Sequence, residues 1–87
     1  MAYSIKWSKE SVKDLESLDF SIAQRIVAKV SWLGENFERI MPERLSNVLK
    51  HLYKIRVGDY RAVYAVENKE IVIKYVGHRR DIYKKIH

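Results

Sequence analysis

The stretch "YKIRVGDYRAVY", Tyr53 to Tyr64, decides the fold. It reads as two β-strands of β-branched and aromatic residues, joined at Gly58-Asp59 by a tight reversal. Side chains alternate across a strand, so Tyr53, Ile55 and Val57 share one face and Lys54 and Arg56 the other. In the second strand Tyr60, Ala62, Tyr64 and Val66 lie together, and Arg61 opens the opposite row. The turn brings Arg61 close to Arg56 across the ladder, which crowds three cations into a small area. Like charges placed together destabilise a hairpin, so the crowding calls for an anion from outside the chain. On these residues alone two readings stay open. One is an anion site; the other is a solvated face on which Lys54 and Arg56 snorkel beside Glu67 or Glu70.

Toward the C-terminus, "EIVIKYVG" is a third strand, divided from the second by Asn68-Lys69, and the three form an antiparallel meander. Gly77 breaks this strand. His78, Arg79 and Arg80 follow, and "HRRDIYKKIH" forms a short basic tail or a helical turn. Alternation past Gly77 does not say which arginine points toward Lys54.

Toward the N-terminus, "AYSIKW" alternates Tyr3, Ile5 and Trp7 with polar residues, as a half-buried strand does. Ser8 is a helix N-cap, after which Val12, Leu15 and Leu18 form one stripe. Asp19 caps a second helix whose apolar positions are Ile22, Ile26, Val30, Leu33 and Phe37. Gly34 lies inside that helix and marks a bend or fraying near its end. "RIMPERLSN" holds the single proline and reads as the linker to the sheet. The expected fold is α+β in the order β-α-α-β-β-β. Its strand and helical hairpin pack on one face of a mostly antiparallel twisted sheet, within a single domain spanning residues 1–87.

Composition narrows the function classes. Of 87 residues, 47% are hydrophobic and 32% charged, as in a soluble globular domain. With no cysteine, disulfide frameworks and cysteine-based zinc sites drop out. The start "MAYSIKWSKE" has no apolar core and no run is long enough for a bilayer, so a cytoplasmic protein is expected. His51 and His87 are isolated, and no His/Asp/Glu spacing suggests a metal. The net charge of +6 is unevenly spread. Residues 1–50 carry 8 Lys/Arg against 7 Asp/Glu, whereas residues 51–87 carry 9 against 4. A segregated basic half suits a polyanion partner.

The motifs "RVGDYRAVY" and "VGHRRDIY", separated by a strand with a polar turn, resemble the RelE family of toxins within the RelE/ParE toxin superfamily. The order and length of the first strand and the helices agree, so the resemblance covers essentially the whole chain. It implies a ribosome-dependent endoribonuclease that cuts messenger RNA in the A site and is held silent by a RelB-like antitoxin. It also implies a reaction without metal or other cofactor: a ribose 2′-hydroxyl attacks the adjacent phosphate, leaving a 2′,3′-cyclic phosphate and a 5′-hydroxyl. Clustered Lys/Arg donors suit the charge of that transition state, and the nucleophile requires RNA.

Carried over by position, Lys54 and Arg61 match residues that hold the scissile phosphate. Arg79 matches the arginine serving the leaving 5′-oxygen, and Tyr83 a tyrosine that stacks on or orients the substrate. Arg56 stands where some relatives have lysine; a guanidinium does not give up its proton, so it is a poor general base. Lys54, Tyr83 or His78 is left for that role, and His78 is a candidate because surrounding cations favour its neutral, proton-accepting form. Lys74 and Arg80 extend the candidate RNA-binding surface.

Two other functions compete: a ParE-like inhibitor of DNA gyrase that cuts no RNA, and a non-enzymatic nucleic-acid-binding module. The expected partners are the antitoxin, the ribosome with its messenger, and operator DNA for the toxin–antitoxin complex. The helix edge at Trp32 is either core or a docking strip for acidic and apolar antitoxin segments.

Overall fold

The computed structural model describes residues 2–86. His87 lies outside the described residues. The elements run β1 (Ser4–Trp7), α1 (Lys9–Glu16), α2 (Phe20–Asn36), β2 (Glu43–Arg44), β3 (Tyr53–Val57), β4 (Tyr60–Glu67) and β5 (Glu70–His78), with 3-10 turns at Phe37–Arg39 and Ile82–Ile86. They build an α+β fold on one five-stranded sheet of order β1-β5-β4-β3-β2. The meander β3-β4-β5 is antiparallel, and β1 joins the edge parallel to β5. No helix among the described residues is long and apolar enough to cross a membrane.

The turns follow their residues. Gly58 takes φ +61°, a conformation glycine adopts without strain. Asn68 and Lys69 both have positive φ, the requirement of a two-residue hairpin turn that matches strand twist. At β2 the linker does more than connect: Glu43 pairs with Lys54 and Arg44 with Tyr53, which adds a two-residue edge strand.

Apolar alternation in the meander builds a core on each sheet face. On the helix side, Ile26, Val30 and Leu33 of α2 are buried against Ala62, Tyr64, Ile71, Ile73 and Val76. Burying each large aliphatic side chain contributes about 1.5–3 kcal/mol, so this layer fixes the sheet's orientation. On the other face, Val63 and Ala65 pack with Leu45, Leu52 and Ile82. That second layer is small and leaves the hairpin end of its face uncovered.

Three helical expectations change in the structure. Val12 is exposed, and Ser11 is the buried residue of α1, its hydroxyl donating to the Ser8 carbonyl at 2.8 Å. Asp19 holds the N-cap position of α2 but makes no side-chain cap bond, in contrast to Ser8, which accepts from the Ser11 amide. Gly34 marks neither a bend nor fraying. It is buried where β1 crosses α2, and its carbonyl accepts from the Tyr3 amide at 3.0 Å.

β5 runs longer than β1, so its outer edge past Ile73 lacks a neighbouring strand. Unpaired edge groups attract other chains unless they are covered. Here α1 and the C-terminal turn cover them. The Ser8 hydroxyl donates to the Lys74 carbonyl at 2.9 Å, and the Val76 amide donates to Asp14 Oδ2 at 2.9 Å. Lys85 Nζ reaches the Val76 carbonyl at 3.3 Å and also the Asp14 carboxylate.

Candidate active site

The β3–β4 register pairs Arg56 directly with Arg61 and Lys54 with Val63. Lys54, Arg56 and Arg61 therefore share the sheet face opposite the helices, as alternation predicts. Arg61 bends back over the turn, where Nη1 donates to the carbonyls of Gly58 at 3.2 Å and Tyr60 at 3.1 Å. Turn carbonyls thereby fix one end of its guanidinium. Arg56 is exposed and has no side-chain partner among the described residues.

Lys54 joins the hairpin to the C-terminal turn. Its ammonium donates to the Tyr83 hydroxyl at 3.3 Å and lies 3.5 Å from Glu43. Its side chain is only 20% exposed, whereas that of Glu43 is 68% exposed. Glu43, from the stretch read as a linker, is the carboxylate that partners Lys54. Glu67 and Glu70 face each other at the far end of the sheet instead. Tyr83, half exposed, accepts the lysine proton and keeps its own O–H free to donate.

Arg79 lies beside the same turn, its amide donating to the Asp59 carbonyl at 2.8 Å. That bond carries the β4–β5 ladder one residue past the strand. The Arg79 side chain is exposed, with no partner among the described residues.

His78 does not join this group. The β4–β5 register steps from Val63↔Tyr75 to Tyr64↔Ile73, which leaves Lys74 as an extra residue in β5. Such a bulge inverts the alternation beyond it. His78 then pairs with Tyr60 on the helix side, the rings meeting edge-on at 5.5 Å, and Gly77 falls opposite Arg61. The strand also continues through Gly77 to His78, where the sequence suggested a break. His78 Nδ1 accepts from the Arg80 amide at 3.1 Å, so one ring nitrogen is already engaged. Arg80 is exposed at this turn. Lys74 lies at the bulge with His51, Leu49 and Glu67 around a separate groove.

Trp32 is not a core residue. It is 43% exposed, and the Lys29 ammonium sits 4.2 Å above its ring. On the same helix Phe20 and Val27 are also exposed. Behind the cation face an aromatic row backs the hairpin. Tyr53 stacks on Tyr64 at 5.7 Å, and Phe37 meets Tyr64 edge-on at 6.2 Å. Burial, reinforced by Tyr53 and Glu43, pushes the Tyr64 hydroxyl up to about 12.

The helices pack on one face of the sheet, and a cationic patch lies beside the C-terminal turn on the other. The chain belongs to the RelE/ParE toxin superfamily, residues 5–83 matching the family described as the ParE toxin of the type II toxin–antitoxin system parDE. A RelE-like toxin protein of Escherichia coli is 28% identical to it over 89 residues, covering 95% of this chain and 92% of that one. The toxin–antitoxin complex RelBE2 from Mycobacterium tuberculosis matches with a TM-score of 0.80 at 25% identity, over 93% of this chain and 95% of that one. The ParDE system of Pseudomonas aeruginosa shares the fold, with a TM-score of 0.74 at 20% identity over 88% of this chain and 96% of that one. The protein is a toxin of a type II toxin–antitoxin system.

Proposed function

We propose that this toxin is a ribosome-dependent endoribonuclease that stops translation by cutting messenger RNA in the A site. The observation that carries the reading is the Lys54–Tyr83 contact at 3.3 Å, on the sheet face where Arg56 and Arg61 pair across the hairpin. Cations that share one face of a hairpin are costly to the free fold and suited to a phosphate whose charge rises in the transition state.

In this reading the scissile phosphate displaces Glu43 from Lys54 and lies between Lys54, Arg56 and Arg61. The ribose 2′-oxygen forms a bond to phosphorus as the bond from phosphorus to the 5′-oxygen breaks, giving a 2′,3′-cyclic phosphate and a 5′-hydroxyl. The 2′-proton passes to Lys54 reacting as the free amine, or to Tyr83 reacting as the phenolate, since Arg56 cannot accept it and His78 lies on the opposite face. A proton returns from that group or from water to the departing 5′-oxygen. Arg79, beside the turn, supports the departing 5′-oxygen, and Arg80 and Lys74 contact flanking phosphates. The reaction needs no cofactor. The toxin acts in the cytoplasm, where a RelB-like antitoxin neutralises it and the joint complex binds operator DNA.

A second reading, inhibition of DNA gyrase, has the ParE family match in its favour. Brief induction followed by mapping of transcript 5′ ends separates the two. The nuclease reading predicts new ends in ribosome-bound transcripts with the native toxin and none with Arg79→Ala. Intact transcripts together with loss of DNA supercoiling would overturn it.

A further inference from the structure

We infer that Asp14 and Lys85 are positioning residues that hold Tyr83 against Lys54. This rests on the reading of Tyr83 as part of the cutting site, while the contact itself is testable without any activity. Tyr83 rides on a five-residue 3-10 turn, Ile82–Ile86, too short to hold its shape unaided. Its start is anchored: Ile82 is fully buried in the second core, and the Asp81 amide donates to the His78 carbonyl at 2.9 Å. The far end needs a separate anchor, and Lys85 supplies it. Its ammonium is bound by the Asp14 carboxylate and donates to the Val76 carbonyl at 3.3 Å.

Asp14 is itself held in place. Its other oxygen accepts from the Val76 amide at 2.9 Å, and its side chain is only 15% exposed. One carboxylate thus ties α1, the open edge of β5 and the C-terminal turn to a single point. The turn lies directly on the strand, because a methyl group on Gly77 would touch Ile82 Cδ1 at 3.4 Å and the Lys85 stem at 3.8 Å. Between the two anchors only Tyr83 and Lys84 remain, and Lys84 points to solvent beside Asp81 at 3.9 Å. With both ends fixed, the Tyr83 hydroxyl falls within reach of Lys54. With Lys85 released, the turn pivots on Ile82 and the tyrosine leaves its partner.

Lys85→Met tests this, because it keeps the stem over Gly77 and removes the charge. Amide exchange of residues 83–85 is expected to quicken about tenfold while the melting temperature stays near native, since the turn opens locally without the core. The Tyr83 ring signals in NMR should shift toward those of Lys54→Met. On ribosome-bound messenger, kcat should fall about tenfold with KM little changed, as misplacement of a reacting group predicts. Lys85→Arg should restore all of these. Native exchange and native Tyr83 signals in Lys85→Met would overturn the inference, as would a lowered kcat that Lys85→Arg fails to rescue. If the native protein cuts no RNA, the nuclease reading fails, and the exchange and NMR results still decide whether this anchor places Tyr83.

Discussion

Replacing Gly34 with alanine sets helix propensity against packing, and the structure decides the sign. Alanine within a helix is favoured over glycine by about 1 kcal/mol. At this position a Cβ would lie 3.0 Å from the Tyr3 carbonyl oxygen and 3.0 Å from Ile5 Cδ1. The Ile5 tip can rotate away, but the carbonyl cannot. β1 is held to α2 by the Tyr3 amide bond to Gly34 and to β5 by its parallel ladder. Forcing a methyl group into such a site costs typically about 1–3 kcal/mol. The net is a loss of about 1 kcal/mol, which lowers the melting temperature of a domain this size by roughly 4–8 °C. Urea and thermal unfolding followed by circular dichroism measure it. A variant more stable than the native protein would refute the claim that β1 and α2 meet through this glycine.

Other consequences follow from the site and its backing. Arg56→Glu turns the like-charged pair with Arg61 into an opposite-charged one, so it should raise stability by about 0.5 kcal/mol while abolishing toxicity; denaturant melts and growth assays report the two effects. Tyr64 retains its proton up to about 12 in the folded protein but loses it near 10 when unfolded. The unfolded state therefore binds fewer protons across that window, and stability falls by up to about 3 kcal/mol as pH rises through it. Tyr64→Phe should remove that contribution, visible as chemical-denaturation midpoints that decline less over the same range than those of the native protein. RNA affinity should drop steeply with salt, and Arg61→Gln should reduce the slope by about one unit in filter binding.

Much of the sheet was legible because alternation and turn chemistry are local. Tyr53, Ile55 and Val57 face the helices and Lys54, Arg56 and Arg61 the other side, as their spacing dictates. The positions of β1, α1 and α2 were likewise readable from Ser8, Asp19 and the apolar period. What escaped depends on contacts between distant segments. The bulge at Lys74 is set by how β5 meets β4, and it alone moved His78 off the cation face. Glu43 meets Lys54 through a two-residue strand that its sequence does not advertise. Asp14 looks like any acidic residue on a helix until the overhanging edge of β5 gives it two partners. Gly34 carried a signal, since a glycine inside a strong helical pattern points to close approach, but its partner strand lies some thirty residues away.

The most direct test of the nuclease account is the chemistry of the cut. Purified toxin is mixed with ribosomes stalled on a defined messenger, and the fragment ends are read by mass spectrometry. The account predicts a 2′,3′-cyclic phosphate facing a 5′-hydroxyl, and no cut when the nucleotide before the scissile bond lacks its 2′-hydroxyl. Efficient cleavage of that 2′-deoxy messenger, or no cleavage of the natural one, would contradict it.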